Sequence, residues 1–171
     1  CVVYSVALGE KAGSLQLCLS SQHNQGSTSS EAMINKFPSV FQGSECVRVD
    51  VDSIDNIFGN KHFDFFKIDV EGAELATLKG AASILESNSP SVIYVELYDE
   101  FFEEMHEFLK DYYKFSYRVV CDRSGGGRLF PSDIDTAQME SEGYYTNPPS
   151  YIYSLFEQKE LIKSWTRPAV G

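Results

Sequence analysis

Apolar and polar residues follow each other along this chain with two different periods, which separate strand-like from helix-like segments. Runs that are apolar throughout, or at every second position, are typical of β-strands. Such runs occur at 2–8, 13–21, 45–58, 63–70, 91–98, 117–122 and 150–158. The run 63–70 contains charged residues near its end. Apolar residues at helical spacing predict helices from 75 to about 87 and from 101 to 112. A short helical turn, which Ser53 or Asp52 is expected to cap, closes the segment 45–58.

The order of these segments predicts the fold class. Strand, helix, strand, helix, strand is typical of an α/β domain, in which helices cover both faces of a mostly parallel sheet. The last strand follows a long irregular segment, 128–149, and no clear helix, so we expect it to run antiparallel. The 171 residues are 43% hydrophobic and show no repeat or boundary, which predicts one domain over 1–171.

The net charge of the chain limits the partners that it can bind. The net charge of −11 and the pI near 4.6 disfavour nucleic acids and anionic membranes. No apolar run is long enough to span a bilayer. The chain begins at Cys1, inside a strand-like run, so we expect a piece of a longer protein. The compartment stays open, with the cytoplasm slightly favoured.

The four cysteines are Cys1, Cys18, Cys46 and Cys121, and none forms a C-x-x-C pair or a zinc pattern with histidine. Their flanking residues are strand-like, which favours buried free thiols. The alternative is two disulfides in a secreted protein.

Charged residues stand at the end of the most strand-like segment, 63–70. Lys67, Asp69 and Glu71 occupy every second position, directly before Gly72 and a predicted helix. A period of two places all three side chains on one side of a strand. Because burying a lone charge costs roughly several kcal/mol, they either satisfy one another or emerge at the carboxyl edge, where open α/β sheets bind ligands.

Two interpretations compete for these charges. Asp69 or Glu71 may be no more than a cap of the following helix, whose N-terminus favours carboxylates. Glu96 stands near the end of the next strand, at much the same height if the two strands are parallel neighbours. Two adjacent strands that both end in carboxylates favour a functional site.

The segments "FFKIDVEGAELATLKGA" and "PSVIYVEL" resemble the FkbM-type methyltransferases, which use S-adenosylmethionine. Further matches follow in order: "VALGEKAGSLQL", the Gly/Ser loop "NQGSTSS" and "VRVDVDSID". The resemblance covers roughly residues 2 to 98. It implies a Rossmann-like class I methyltransferase sheet of seven strands, mostly parallel with an antiparallel last strand. On that template the first two βα units, with the glycine-rich loop of the cofactor site, would precede Cys1.

The resemblance also implies an activity and a set of site residues. It implies methyl transfer to a hydroxyl of a sugar or small metabolite, with Asp69 orienting the acceptor or the cofactor. Glu71 and Glu96 are candidates for the base or for gripping the acceptor, and Lys67 for holding these carboxylates. Ala7 and Leu8 would border the adenine, and Gly72 belongs to the same motif. No pattern demands a metal ion.

Two other functions remain open. A methyltransferase-like module without catalysis, used for binding, is the first alternative, because the glycine-rich loop is not in this chain. The second is a different nucleotide-using α/β enzyme, which would bind NAD or a nucleotide sugar.

Overall fold

A computed structural model describes residues 1–19, 28–29, 45–87, 90–122 and 126–158. The chain divides into two compact units, one of residues 1–62 and 69–87, the other of residues 63–68 and 88–171. Strands and helices occur in both units, which confirms an α/β fold. The predicted loop 21–31 lies outside the described residues, apart from 28–29.

The described residues of the first unit form a four-stranded sheet and three short helices. The strands are β1 (Ala7–Leu8), β2 (Gly13–Leu19), β3 (Thr28–Ser29) and β4 (Cys46–Asp52). Their order is β1-β4-β2-β3, in which only the pair of β1 and β4 is parallel. The helices are α1 (Ile54–Phe58), α2 (Glu74–Lys79) and α3 (Ala82–Glu86).

The second unit contains a five-stranded sheet. The strands are β5 (Phe65–Ile68), β6 (Val92–Glu96), β7 (Phe115–Asp122), β8 (Gly127–Pro131) and β9 (Tyr144–Ser154). Their order is β5-β6-β9-β7-β8. A 3-10 turn (Asp99–Phe101) leads into α4 (Phe102–Leu109), and α5 (Thr136–Ser141) precedes β9.

The core of the second unit lies against one face of its sheet. Alternate residues of β6 and β9 are almost fully buried, as are two residues of α4; they are Ile93, Val95, Tyr151, Tyr153, Met105 and Leu109. Phe102 of α4 stacks on the Tyr151 ring at a centroid distance of 4.6 Å. The apolar period of 3.6 in this helix therefore predicted its buried face correctly.

The expectation of a mostly parallel sheet is not confirmed, since two of the seven described strand pairings are parallel and five are antiparallel. Strands β5, β6 and β7 do run in the same direction. The last strand, β9, is antiparallel as expected and lies between β6 and β7, so it replaces one parallel contact by two antiparallel ones. The β7–β8 hairpin adds another.

The predicted helix from 75 to about 87 is two helices, because the chain turns at Gly80. A Cβ atom there would lie 2.1 Å from the Gly9 carbonyl oxygen, so only glycine permits this approach of two backbones. The Asp55 carboxylate accepts hydrogen bonds from the amides of Ser83 and Ile84 and so caps α3 from another helix. Sequence spacing cannot show such a cap.

The first strand and the segment 128–149 also differ from their predictions. Strand β1 is limited to Ala7–Leu8, the residues that pair with β4, whereas residues 2–5 are exposed. The segment 128–149, predicted to be irregular, contains most of β8, all of α5 and the start of β9. The two strands pair with β7, which lies outside the segment itself.

Two cysteines are joined rather than free. Cys18 of β2 and Cys46 of β4 are direct cross-strand partners and form a disulfide, so the preferred prediction of free thiols is wrong for this pair. Cross-strand register, which the sequence does not reveal, brings the two sulfur atoms together. Cys1, which is exposed, and the partly buried Cys121 are free.

Candidate functional site

The charged turn after β5 departs from strand geometry at the point where its carboxylates begin. Strand β5 ends at Ile68, and the side chain alternation predicted for Lys67, Asp69 and Glu71 therefore stops there. Glu71 has a φ of 48° and Gly72 a φ of 93°. A left-handed conformation costs a non-glycine residue about 1–2 kcal/mol, so the surrounding structure has to stabilise Glu71.

The helix-capping interpretation of these carboxylates is not supported. The N-cap residue of α2 is Ala73, which makes no side-chain cap hydrogen bond. Asp69, which is exposed, and Glu71, which is half-buried, lie four and two residues before that cap. Neither is the N-cap residue, and the two side chains precede the helix.

Glu74, the last residue of the K-I-D-V-E-G-A-E octet, holds this turn from within. It is the first residue of α2, is only 5% exposed, and accepts a hydrogen bond from the Gly72 amide at 2.9 Å. Burial raises the pKa of its carboxyl group above the usual value, and the negative charge of Asp69 raises it further. Hydrogen bonds from the backbone amides of Gly72, Glu74 and Val70 lower the pKa, but the effect of burial is larger. The sequence reasoning missed Glu74, although a carboxylate beside a glycine in the octet was a visible signal.

Ala7 and Leu8 lie in β1, in the same unit as this turn. The Leu8 carbonyl oxygen accepts a hydrogen bond from the Thr77 hydroxyl of α2 at 3.4 Å. The following residue, Gly9, donates its amide to the Asp52 carbonyl of β4. Helix α2 therefore connects the end of β1 with the turn that carries Asp69 and Glu71.

Lys67 and Glu96 meet in the second unit. Lys67 pairs in register with Tyr94 of the parallel neighbour β6, and Glu96 follows two residues later on the same face. The Lys67 Nζ atom lies 3.5 Å from Glu96 Oε1, with the side chains 52% and 27% exposed. The pair is open to solvent, so it contributes little stability and keeps Glu96 accessible from the carboxyl end of β6.

A second charged group near the end of β6 was not predicted. Arg118 of β7 donates from one nitrogen, Nη2, to both carboxylate oxygens of Asp99 at 2.9 and 2.7 Å, and from Nη1 to the Tyr151 hydroxyl at 2.9 Å. The Tyr151 hydroxyl in turn donates to Asp99 at 2.7 Å. The Arg118 side chain is 6% exposed and that of Asp99 is 46% exposed. A charged residue inside the apolar run "YRVVCD" was the signal in the sequence.

The structure therefore gathers the predicted residues in two places. Asp69, Glu71 and Gly72 lie in the turn that precedes the buried Glu74 in the first unit, which also contains Ala7 and Leu8. Lys67 and Glu96 form an ion pair in the second unit. Among the described residues, no group of three or more His, Cys, Asp or Glu side chains is arranged to hold a metal ion. No helix in the described part of the chain is long and apolar enough to cross a membrane.

These features define an α/β protein in which the ion pair of Lys67 and Glu96 lies towards the carboxyl ends of the parallel strands β5 and β6, the edge at which open α/β sheets bind ligands. The family model described as methyltransferase FkbM domain matches residues 2–119, more than two thirds of the chain. The chain therefore belongs to the FkbM methyltransferase family, which confirms the resemblance in the octet and supports methyltransferase activity in general. No curated protein and no solved structure matches it.

Proposed function

We propose that this protein is an S-adenosylmethionine-dependent methyltransferase that methylates a hydroxyl oxygen of a sugar or another small metabolite. The observation that carries the proposal is the FkbM family match over residues 2–119, which includes the octet 67–74. The single methyltransferase-like domain predicted over 1–171 stays a prediction.

The sheet of the second unit supports a Rossmann-like class I arrangement. Strands β5, β6 and β7 share one direction, and the antiparallel last strand lies between β6 and β7. An antiparallel last strand is what the family resemblance implied. The five-stranded sheet corresponds to the later half of such a fold in chain order.

The residues of the first unit fit the chemistry of the cofactor. S-adenosylmethionine supplies a methyl group on a sulfonium, and both the sulfonium and its amino group carry positive charge. Asp69 and Glu71 bring carboxylate oxygens within three residues of each other, and neither side chain is fully buried. Anionic oxygen atoms of this kind attract a cation. Ala7 and Leu8 supply short, apolar side chains of the kind that the adenine ring would contact.

Each proposed residue has a separate role. Asp69 orients the acceptor hydroxyl or the cofactor, since holding oxygen and methyl carbon in line supplies much of the rate enhancement in a displacement. Glu71 or Glu96 takes the proton that the hydroxyl oxygen loses as it forms its bond to carbon. Lys67 holds Glu96 in place through their ion pair, and Gly72 permits the left-handed turn.

The test is a titration of the protein, with any residues that precede Cys1 in its natural chain, by isothermal titration calorimetry. We expect saturable binding of S-adenosylmethionine and of its product S-adenosylhomocysteine. Binding of NAD or a nucleotide sugar instead would support a different nucleotide-using enzyme. A folded protein that binds none of them would contradict the proposal and favour a binding module without catalysis.

A further inference from the structure

The turn between β5 and α2 is held by a hydrogen bond to Glu74, a residue that has no role in the proposed chemistry. Glu74 is a buried carboxylate, and a carboxylate is among the side chains that are hardly ever buried without a partner. Its oxygen Oε1 accepts the Gly72 amide at 2.9 Å, and Gly72 lies two residues before it, outside the helix. The hydrogen bond therefore constrains the turn rather than the body of α2.

Helix stabilisation alone does not account for this placement. A glutamate in the first turn of a helix interacts favourably with the helix dipole while it remains exposed to solvent. In the usual capping box a glutamate of the helix bonds to the amide of the cap residue, which here is Ala73. Glu74 instead points back past the cap and accepts the amide of Gly72.

The constrained residues are the ones that carry the proposed site. Glu71 and Gly72 both have positive φ, and the amide that Glu74 binds directly follows Glu71. Asp69 is near enough for its charge to act on Glu74. A turn with two left-handed residues relaxes readily when it loses its hydrogen bonds, and the carboxylates of Asp69 and Glu71 would move with it.

We propose that Glu74 is a positioning residue, whose buried carboxylate holds the turn 69–72 in the conformation that presents Asp69 and Glu71 to the cofactor. This inference rests on the proposed function for its ligand, but the support of the turn can be measured without one. Glu74 itself touches backbone amides and is not assigned a chemical step.

The experiment compares Glu74→Ala and Glu74→Gln with wild type by two measurements. The first is amide hydrogen exchange at Gly72, followed by NMR. We expect Glu74→Ala to increase that rate at least tenfold. Glu74→Gln should have a smaller effect, since its carbonyl oxygen can still accept a hydrogen bond from the Gly72 amide. Its NH₂ group cannot accept the hydrogen bonds from the amides of residue 74 and Val70.

The second measurement is the affinity for S-adenosylmethionine by calorimetry. We expect Glu74→Ala to raise Kd at least tenfold and Glu74→Gln to restore most of the affinity. Glu86→Ala is the matched control, because Glu86 is an exposed glutamate at the end of α3 in the same unit. It should leave both quantities unchanged.

The outcomes decide between the claims as follows. Wild-type exchange at Gly72 in folded Glu74→Ala overturns the inference, and so does faster exchange with unchanged affinity. If Glu74→Ala does not fold, Glu74→Met, which also lacks the acceptor oxygen, decides by the same two measurements: an exchange rate and a Kd both equal to wild type overturn the inference, and faster exchange with a raised Kd supports it. A wild-type protein that binds no S-adenosylmethionine contradicts the proposed function, whereas Gly72 exchange still decides whether Glu74 holds the turn.

Discussion

Asp69 stands one residue beyond β5, in a turn rather than in the strand. Its side chain is exposed, in contrast to that of Glu74, which is buried at the start of the following helix α2. An exposed carboxylate is open to solvent and to a ligand, whereas the buried carboxylate of Glu74 accepts a backbone amide. Predictions for single residues follow from that difference.

Replacement of Asp69 by Asn should reduce methyl transfer at least tenfold and leave the fold intact. The amide keeps the size of the side chain but loses the negative charge and one acceptor oxygen, and general acid–base or orienting groups contribute roughly factors of this size or more. Turnover would be measured as S-adenosylhomocysteine release, with circular dichroism for the fold. Asp50→Asn, at an exposed position of β4, is the control, and near-normal turnover of Asp69→Asn would contradict the role.

The stability of the wild type relative to Glu74→Gln should fall as the pH rises. Burial raises the pKa of Glu74 above its ordinary value of 4.5, so the folded state binds the proton more tightly than the unfolded state. Stability that depends on this group is complete below pH 4.5 and is lost as the pH rises through the raised folded pKa. Urea unfolding of both proteins at a series of pH values from 4.5 upwards measures the change. A difference that stays constant, or grows in favour of wild type, would show that Glu74 is not buried in this way.

At the scale of elements, the two units are stabilised by contacts between segments that are distant in sequence. Arg118 and Asp99 connect β7 with the turn after β6, and Tyr151 of β9 bonds to both. Cys18 and Cys46 connect β2 with β4. Each contact leads to a prediction about the elements that it joins.

Loss of Asp99 should destabilise the protein more than loss of Arg118. Asp99→Ala leaves a guanidinium that is 6% exposed without its counter-ion, and leaving a buried charge without its partner costs about 3 kcal/mol. Arg118→Met leaves a carboxylate that is 46% exposed and can be hydrated, so we expect less than half that loss. Urea unfolding measures both. Glu107→Ala, which breaks the exposed pair with Lys110, is the control and should change stability little. An equal loss of stability in Asp99→Ala and Arg118→Met would contradict the prediction.

Removal of the disulfide should lower the free energy of unfolding by about 2–4 kcal/mol. The bond closes a loop with a sequence separation of 28 residues and so restricts the unfolded chain. The double variant Cys18→Ala, Cys46→Ala would be compared with Cys121→Ala, which removes a free thiol. A reductant should destabilise the wild type and leave the double variant unchanged. Equal stability of the oxidised and the fully reduced wild type would contradict the prediction.

The sequence predicted the helical and strand-like segments better than their ends. Strand β6 and helix α4 lie where the apolar pattern places them, because burial of one face determines that pattern. Gly80, whose backbone approaches that of Gly9, and the cap by Asp55 decide where α2 ends and α3 begins. The strand pairing of the segment 128–149 depends on β7, which its own sequence does not contain.

At the scale of the whole molecule, the net charge leads to a prediction about nucleic-acid binding that does not depend on the proposed methyltransferase site. The chain carries 25 acidic and 14 basic residues, with three histidines. Affinity for nucleic acid depends mainly on basic residues that neutralise phosphates. The overall field of this protein is therefore repulsive to polyanions.

We expect no binding of a short fluorescent DNA or RNA duplex at physiological ionic strength. Fluorescence anisotropy measures this directly, and lowering the salt concentration provides the more sensitive condition. Binding that weakens steeply with added salt would reveal a local basic surface and contradict the prediction.

The sequence by itself determined the family, the α/β class and the segment that carries the proposed site, because these depend on local pattern and on one continuous octet. It identified Asp69, Glu71 and Glu96 as candidates, but not the roles that separate Glu74 from Asp69. Tertiary structure decided the positive φ of Glu71 and Gly72, the pairing of Lys67 with Glu96, the Arg118 network and the disulfide. Each of these depends on which strands and turns become neighbours, and a period along the chain contains no information about the distance between residues on different elements.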